Sequence, residues 1–555
     1  MADEEDRIRR LTILRETVDW ENKAERLKFI TDFCHSLKDC TDRPAILRVV
    51  FRPGEIERLL ADAATEKSES GSLRGTFIRL VAWSDYRVQR RDDDDDDDGN
   101  DRATPLHLLA RLARESDHGS HDFAARMLFK IYGTAFNHSD EFGCTHFHAA
   151  CKLGLVEIVE KFLDLGQDAN VLARETGDAP LHLALATGKK EVARLLLRRG
   201  ADPRLANKGG STPLHVICAR SEDCDDLIDA FLRCSERLDE PVLIDARDES
   251  GDTPLHLALA NDNKDGVEAL VLWGADPNLA NNNGETPLHV CCKADYDHGS
   301  AQSFFRIARA VRREVRLDVE DNSGRTPLQW AVANLFPHVV EALLDNGADL
   351  ANFVFPSADY FGKTLKPWRD EWRHNHKLII ASCSLACVEH LRARGYRMER
   401  DDCWTILQYF AEHRVYEKPP AMVDLERAWH EDEKFAAAAR GITMIQEPDG
   451  GRLSLLDFVR LPLEEASGRV AYEDYFRFVC ANELRWLARG AREACIARLC
   501  EIISRRFLLR WARDRLWELT GGRPTIDCCE PIVERLTNED LRNIGLAAAG
   551  VGRSS

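Results

Sequence analysis

The tetrad Thr-Pro-Leu-His recurs at Thr104–His107, Thr212–His215, Thr253–His256 and Thr286–His289. Near-copies stand at Thr145–His148, Ala179–His182 and Thr326–Gln329. No other feature of the 555 residues limits the fold so closely. The tetrads start 41, 34, 33, 41, 33 and 40 residues apart, so three intervals lie near 33 and three carry seven or eight more. Such a period marks a solenoid, in which each unit buries its apolar face only against its neighbours. Thr is a helix N-cap. Pro fits the first turn, where its missing N–H leaves nothing unpaired. Leu packs inward, and His can bridge backbone groups, since imidazole carries a donor and an acceptor. A second helix follows, as in Val192–Leu197. Gly-Ala-Asp then closes the unit at Gly200–Asp202, Gly274–Asp276 and Gly347–Asp349, with Gly free to take a positive φ.

This pattern resembles the ankyrin-repeat family over residues 100–352. It predicts about seven helix-turn-helix repeats with short β-turn fingers, in an all-α chain. The longer repeats place their extra residues near Ser116–His121, Ser221–Asp226 and Ala294–Ser300, and such insertions emerge as loops. The turn tips before the tetrads put Glu175, Lys208, Glu249, Asn282 and Asn322 outward as candidate client-binding residues. Cys144, His146, His148 and Cys151 fall within eight residues and invite a metal reading. A structural zinc site usually shows two paired ligand clusters, however, and the tetrad accounts for both histidines. The expectation is no metal and no cofactor.

The net charge of −19 argues against a broad nucleic-acid or anionic-membrane footprint, which needs an excess of Lys and Arg. The start, Met1–Asp6, is acidic and lacks the apolar run of a secretory signal. The best membrane candidate, Leu378–Leu391, falls short of the ~20 apolar residues a span needs. Seventeen cysteines without a C-x-x-C pair suit reduced, buried thiols. The expected location is cytoplasmic, with a nuclear one also open.

Residues 8–90 read as helical, with Leu11, Leu14 and Val18 on one face. Seven aspartates, Asp92–Asp98, form an acidic linker; a calcium site would show spaced ligands. Residues 365–522 read as mostly helical, with loops at Pro419-Pro420 and Glu447–Gly451. Between Arg485 and Arg515, nine arginines meet three acids. They form the polar face of amphipathic helices, a patch for an acidic partner, or an import signal. Cys528-Cys529 has no general base placed beside it by any motif, so no enzyme is expected.

Near the end, Ile526, Cys529, Ile532, Val533 and Leu536 share a helical face. Thr537 reads as an N-cap with Asp540 three residues on, followed by Leu541 and Ile544. The spacing Pro524, Ile532-Val533, Leu536, Asp540-Leu541 resembles an F-box, with Arg523 where that motif carries Leu and Pro524 one residue far upstream; a plain helical hairpin is the other reading. Repeats followed by such an end resemble the PRANC family of poxviruses, Wolbachia and parasitoid wasps. Leu455–Pro462, Tyr472–Phe476 and Leu536–Leu541 are similar to wasp-type members. That resemblance implies that Pro524, Ile532, Val533, Leu536, Asp540 and Leu541 dock the linker protein of an SCF-type ubiquitin ligase, with its cullin scaffold, while the repeats hold a client. The alternative is a scaffold that sequesters a signalling protein without ubiquitination. The expected divisions are a helical cap (1–91), the acidic linker (92–99), the repeats (100–352), a helical connection (353–450) and the PRANC domain (451–555).

Overall fold

A computed structural model describes residues 2–37, 43–65, 72–84, 86, 103–113, 121–135, 137–220, 227–236, 242–294, 300–363, 375–416, 430, 432–446, 451–521, 523 and 526–551. The Asp92–Asp98 run, Pro419-Pro420, Pro524 and nearly all of the three repeat insertions lie outside these residues. The contacts divide the chain into two compact units, Met1–Asp276 and Pro277–Ser555, and the division falls within the repeats.

The first unit opens with five helices: α1 (Ala2–Glu16), α2 (Lys23–Ser36), α3 (Arg43–Val50), α4 (Pro53–Thr65) and α5 (Ser72–Trp83). Phe29, Phe33, Phe51 and Phe77 meet at its centre, mostly edge to face, with ring centroids 4.9–6.5 Å apart. The buried Arg26 guanidinium pairs with Asp62 at 2.6 Å, tying α2 to α4. Five repeats follow, each a helix pair: α6 (Pro105–Leu112) with α7 (Asp122–Tyr132), α8 (His146–Leu153) with α9 (Val156–Asp164), α10 (Pro180–Ala186) with α11 (Lys190–Arg198), α12 (Pro213–Cys218) with α13 (Leu227–Ser235), and α14 (Pro254–Ala260) with α15 (Lys264–Leu272). First helices stack on first helices, and α4 and α5 close the open end against α6 and α7. Solenoid ends need such a cover.

The second unit begins with two more repeats, α16 (Pro287–Cys292) with α17 (Ser300–Ala310) and α18 (Pro327–Ala333) with α19 (Pro337–Asp345). Against α19 lies α20 (His376–Ala393), whose Leu378–Val388 stretch is buried on all sides. That explains the apolar run: α20 is the centre of this unit, and no described helix is long and apolar enough to cross a membrane. Arg394, just past α20, donates to the Leu344 carbonyl at the end of α19. Then come α21 (Arg400–Glu412), α22 (Glu433–Gly441), an antiparallel pair of short strands β1 (Thr443–Gln446) and β2 (Arg452–Ser454), α23 (Leu455–Arg460), α24 (Leu463–Arg469) and α25 (Tyr472–Cys480). The strand pair was not expected; of the expected Glu447–Gly451 loop, residues 447–450 lie outside the described residues. The 31-residue α26 (Arg489–Leu519) runs through the unit, and α27 (Ile526–Val533) and α28 (Asn538–Val551) pack along it.

Candidate client-binding surface

The tetrad works differently from a simple Thr cap. The Thr or Ala backbone N–H donates to Nδ1 of the tetrad His at 3.0–3.2 Å in six repeats. Nδ1 is therefore the acceptor, and Nε2 carries the proton. In His148, His182, His215 and His289, Nε2–H donates to the carbonyls of Val171, Ser211, Asp252 and Arg325 in the following repeat, at 3.0–3.1 Å. Each His thus caps its own helix and bonds to the next repeat. Gln329 does the same with an amide: its Oε1 accepts from Thr326 N–H at 2.9 Å and its Nε2 donates to Val354 at 3.2 Å. The second repeat has His146 in place of the Pro, and the N–H so added reaches the His138 carbonyl at 3.0 Å, while the first-turn Phe147 N–H reaches Asn137 Oδ1 at 2.9 Å.

Burial, the largest influence on each, holds these imidazoles neutral. His148, His182, His215 and His289 lie below the usual imidazole range. His107 is pushed down to about 4, and His146 to about 2, the latter also by the charges of His107 and His138 nearby. The Cys151 thiol is buried and held well above its usual value. Neutral, committed histidines and inert thiols hold a stack together; they are poorly set for proton transfer at pH 7. Among the described residues, no three His, Cys, Asp or Glu side chains group as metal ligands.

Between repeats the chain turns through fingers built on one side chain. Asp140, Asn207, Asp248, Asn281 and Asp321 each stand five residues before a tetrad. Each Oδ1 accepts two backbone N–H groups, two and four residues on, at 2.8–3.1 Å. In the first unit, neighbouring fingers join by backbone bonds from Glu175 to Phe142, Lys208 to Thr176 and Glu249 to Gly209, at 2.9–3.0 Å. In the second unit Asn322 donates to Asn283 at 2.9 Å. Gly177 and Gly210 sit at φ of 72° and 73°, and a Cβ on either would lie 2.7 Å from the next finger's backbone nitrogen. Only Gly fits both the dihedral and the approach.

All five fingertip residues, Glu175, Lys208, Glu249, Asn282 and Asn322, have exposed side chains, the first three in the first unit and the last two in the second. The backbone N–H groups of Glu175, Lys208, Glu249 and Asn322 are used in the finger ladder, and the Asn322 side-chain amide also donates to the Asn282 carbonyl at 3.0 Å. A second row escaped the sequence reading. Leu108, Leu183, Val216 and Leu257 follow the tetrad His directly in four first helices of the first unit, and all are half-buried rather than buried. The signal was there, since each is the apolar residue after His. Only the stacking shows that this position is left partly open.

The F-box-like residues are split by the fold. Val533 is 1% exposed and Leu541 0%, both against α26, while Ile532 is 50% exposed and Leu536 half-buried. Asp540 is exposed, but its carboxylate accepts from the Thr537 N–H at 3.0 Å and hydroxyl at 2.6 Å, capping α28, and these bonds hold its pKa low. The buried Arg505 of α26 clamps the turn between α27 and α28, donating to the Glu534 and Leu536 carbonyls and to Asn538 Oδ1. Among the described side chains, the expected outward apolar stripe is thereby reduced to Ile532 and parts of Leu536 and Ile544, beside exposed Pro531. A charge at Leu541 would disrupt the unit itself. Cys529 is also buried, at 0% exposure.

The histidine bridges, the finger ladder and the helix pairs repeat together. The family model for Ankyrin repeats (3 copies) matches residues 106–207, 181–281 and 261–353. The repeats are ankyrin repeats. Human Transient receptor potential cation channel subfamily A member 1 is 26% identical over 217 residues, 38% of this chain and 18% of that protein. Human Ankyrin repeat and SOCS box protein 16 is 35% identical over 188 residues, 33% of this chain and 39% of that protein. The solved ankyrin repeat domain of Bcl-3 aligns with 37% of this chain and 86% of its own at a TM-score of 0.31 and 24% identity. The chain spans well under half the length of these two relatives, and the similarity extends over about a third of it. The ankyrin repeats are a protein–protein interaction module.

Proposed function

We propose that the chain is a protein-binding adaptor, which seats a client on its ankyrin repeats and presents its C-terminal helix pair to the linker protein of an SCF-type ubiquitin ligase. The client half rests on one observation: a row of half-buried apolar side chains, Leu108, Leu183, Val216 and Leu257, in a stack whose preceding fingers hold exposed Glu175, Lys208 and Glu249. Partly exposed apolar residues at one position of successive helices give a partner area to bury, and the charged tips supply selection at the rim. Each side chain stands on a rigid, bonded backbone, so little ordering entropy is lost on binding. The Asn282 and Asn322 tips extend the same kind of surface in the second unit.

The ligase half is supported by the F-box resemblance of Ile532–Leu541, by the exposure of Ile532, and by a relative whose name pairs ankyrin repeats with a SOCS box. An adaptor of this kind performs no chemistry; it raises the effective concentration of client at the ligase. The burial of Val533 and Leu541 favours the second reading, a client-sequestering scaffold in which the helix pair only completes its unit. Binding of purified SCF linker protein to the full chain separates the two. The adaptor predicts a complex that Ile532→Glu abolishes without change in circular dichroism; no complex with the unaltered chain leaves the scaffold.

A further inference from the structure

Three arginines of the second unit turn toward one another with too few acids to answer them. Glu389 and Arg392 lie three residues apart on α20, and Arg506 and Arg510 lie four apart on α26. Both spacings place the pair on one helix face. The two helices pack together with α25 on α20, and these four side chains, with Tyr472 at the start of α25, line a cavity of about 240 Å³. Arg506 pairs with Glu389 at 3.5 Å. Among the described residues neither Arg392 nor Arg510 makes an ion pair or a side-chain hydrogen bond. Four other arginines of α26 are engaged: Arg489 with Glu493, Arg498 with Glu501, Arg513 with Asp514 and Arg515 with Glu518.

We propose that this cavity is a binding site for a phosphate-type dianion, held by the guanidiniums of Arg392, Arg506 and Arg510 and the Tyr472 hydroxyl. Three positive charges against the one carboxylate of Glu389 leave a surplus of two, which a dianion neutralises. Guanidinium forks match the oxygen geometry of phosphate and bind it through paired N–H donors. Tyr472 is largely buried and lines the cavity, where its hydroxyl can donate. Val388 and Phe507 form an apolar wall, which suits the organic part of a phosphomonoester. Arg510 is exposed at the rim of the cavity, and partial desolvation there together with the neighbouring charges of Arg506 and Arg392 lowers its pKa. An anion relieves that repulsion. The site does not depend on the adaptor reading, since it lies on helices outside the repeats.

Calorimetric titration of the full chain with inorganic phosphate, phenyl phosphate and acetate, all at one ionic strength, tests it. Saturable binding of phosphate without binding of acetate is expected. Tighter binding of phenyl phosphate identifies an organic phosphomonoester as the source, and equal affinity identifies free phosphate. The double variant Arg392→Gln, Arg510→Gln should weaken binding at least tenfold. Glu389→Gln removes the competing carboxylate and should tighten binding several-fold, a gain that misfolding cannot produce. Phosphate binding no different from acetate, or a Glu389→Gln variant that binds more weakly than the unaltered chain, overturns the proposal.

Discussion

Replacing Arg505 by leucine removes the side chain that joins α26 to the turn between α27 and α28. Arg505 is 1% exposed, and its guanidinium donates to the Glu534 carbonyl at 2.7 Å, to Asn538 Oδ1 at 3.2 Å and to the Leu536 carbonyl. Glu534 is exposed and Leu536 half-buried, so water replaces the lost donor there, at about 0.5–1.5 kcal/mol for each bond. Asn538 is 9% exposed, and its Oδ1 loses a buried partner, at about 1–3 kcal/mol. Part of this is returned, because burial already penalises the Arg505 charge and its Nε has no hydrogen-bond partner among the described residues. The net loss should be about 2–3 kcal/mol, confined to the helix pair. A chain of two units has no single unfolding free energy, so the readout should be local. Native-state hydrogen exchange of the α28 amides should speed up roughly 30- to 160-fold, while the α8 and α10 amides keep their rates. A change below threefold in α28 would refute the clamp and leave the attachment to buried Val533 and Leu541 and to the Asn538–Glu501 hydrogen bond.

Three further outcomes follow from the repeats. His182→Leu leaves the Ala179 N–H and the Ser211 carbonyl without partners and should cost about 2–4 kcal/mol in urea titration, whereas His182→Gln, which copies the bonds of Gln329, should cost under about 1 kcal/mol; equal losses would show that the imidazole acts by packing alone. Burial lowers the tetrad pKa values in the fold, while unfolded imidazoles titrate near 6.5, so the unfolded chain binds protons that the fold excludes. The stabilisation is complete above about pH 6.5 and is lost as pH falls toward the folded values, about 4 for His107; a urea midpoint unchanged between pH 7.5 and 5 would contradict this. Gly210→Ala, at φ 73° and against the Glu249 nitrogen, should open the finger ladder locally and be seen as faster exchange of the Glu249 amide.

The repeats were legible because one local motif sets each of them. The tetrad carries its own cap and, at His148, His182, His215 and His289, its own bond to the next repeat, so seven short matches locate the stack without knowledge of distant contacts. The Asp or Asn five residues earlier was equally local, and it went unread beside the more conspicuous tetrads. What stayed hidden depends on partners far along the chain. Leu541 and Ile532 look alike on a helical wheel, and only α26, some 30 residues away, buries one and leaves the other out. Arg505 and Arg510 are neighbours in the same basic run, yet one is a structural clamp and the other lines a cavity with Arg392, more than a hundred residues earlier. The strand pair β1–β2 is too short for alternation to announce it.

In the proposed adaptor the first helices of the repeats hold the client. Leu183→Glu, Val216→Glu and Leu257→Glu together place charges along the half-buried row, at positions where a helix surface tolerates them. Proteins crosslinked to the unaltered chain and to this variant in cells should be compared by quantitative mass spectrometry, with circular dichroism and melting temperature as controls. The expected result is a client that is lost from the variant although its fold is unchanged, and that is kept by a chain lacking residues 523–555. A client recovered equally from the unaltered chain and the charged variant would place the binding surface elsewhere and contradict it.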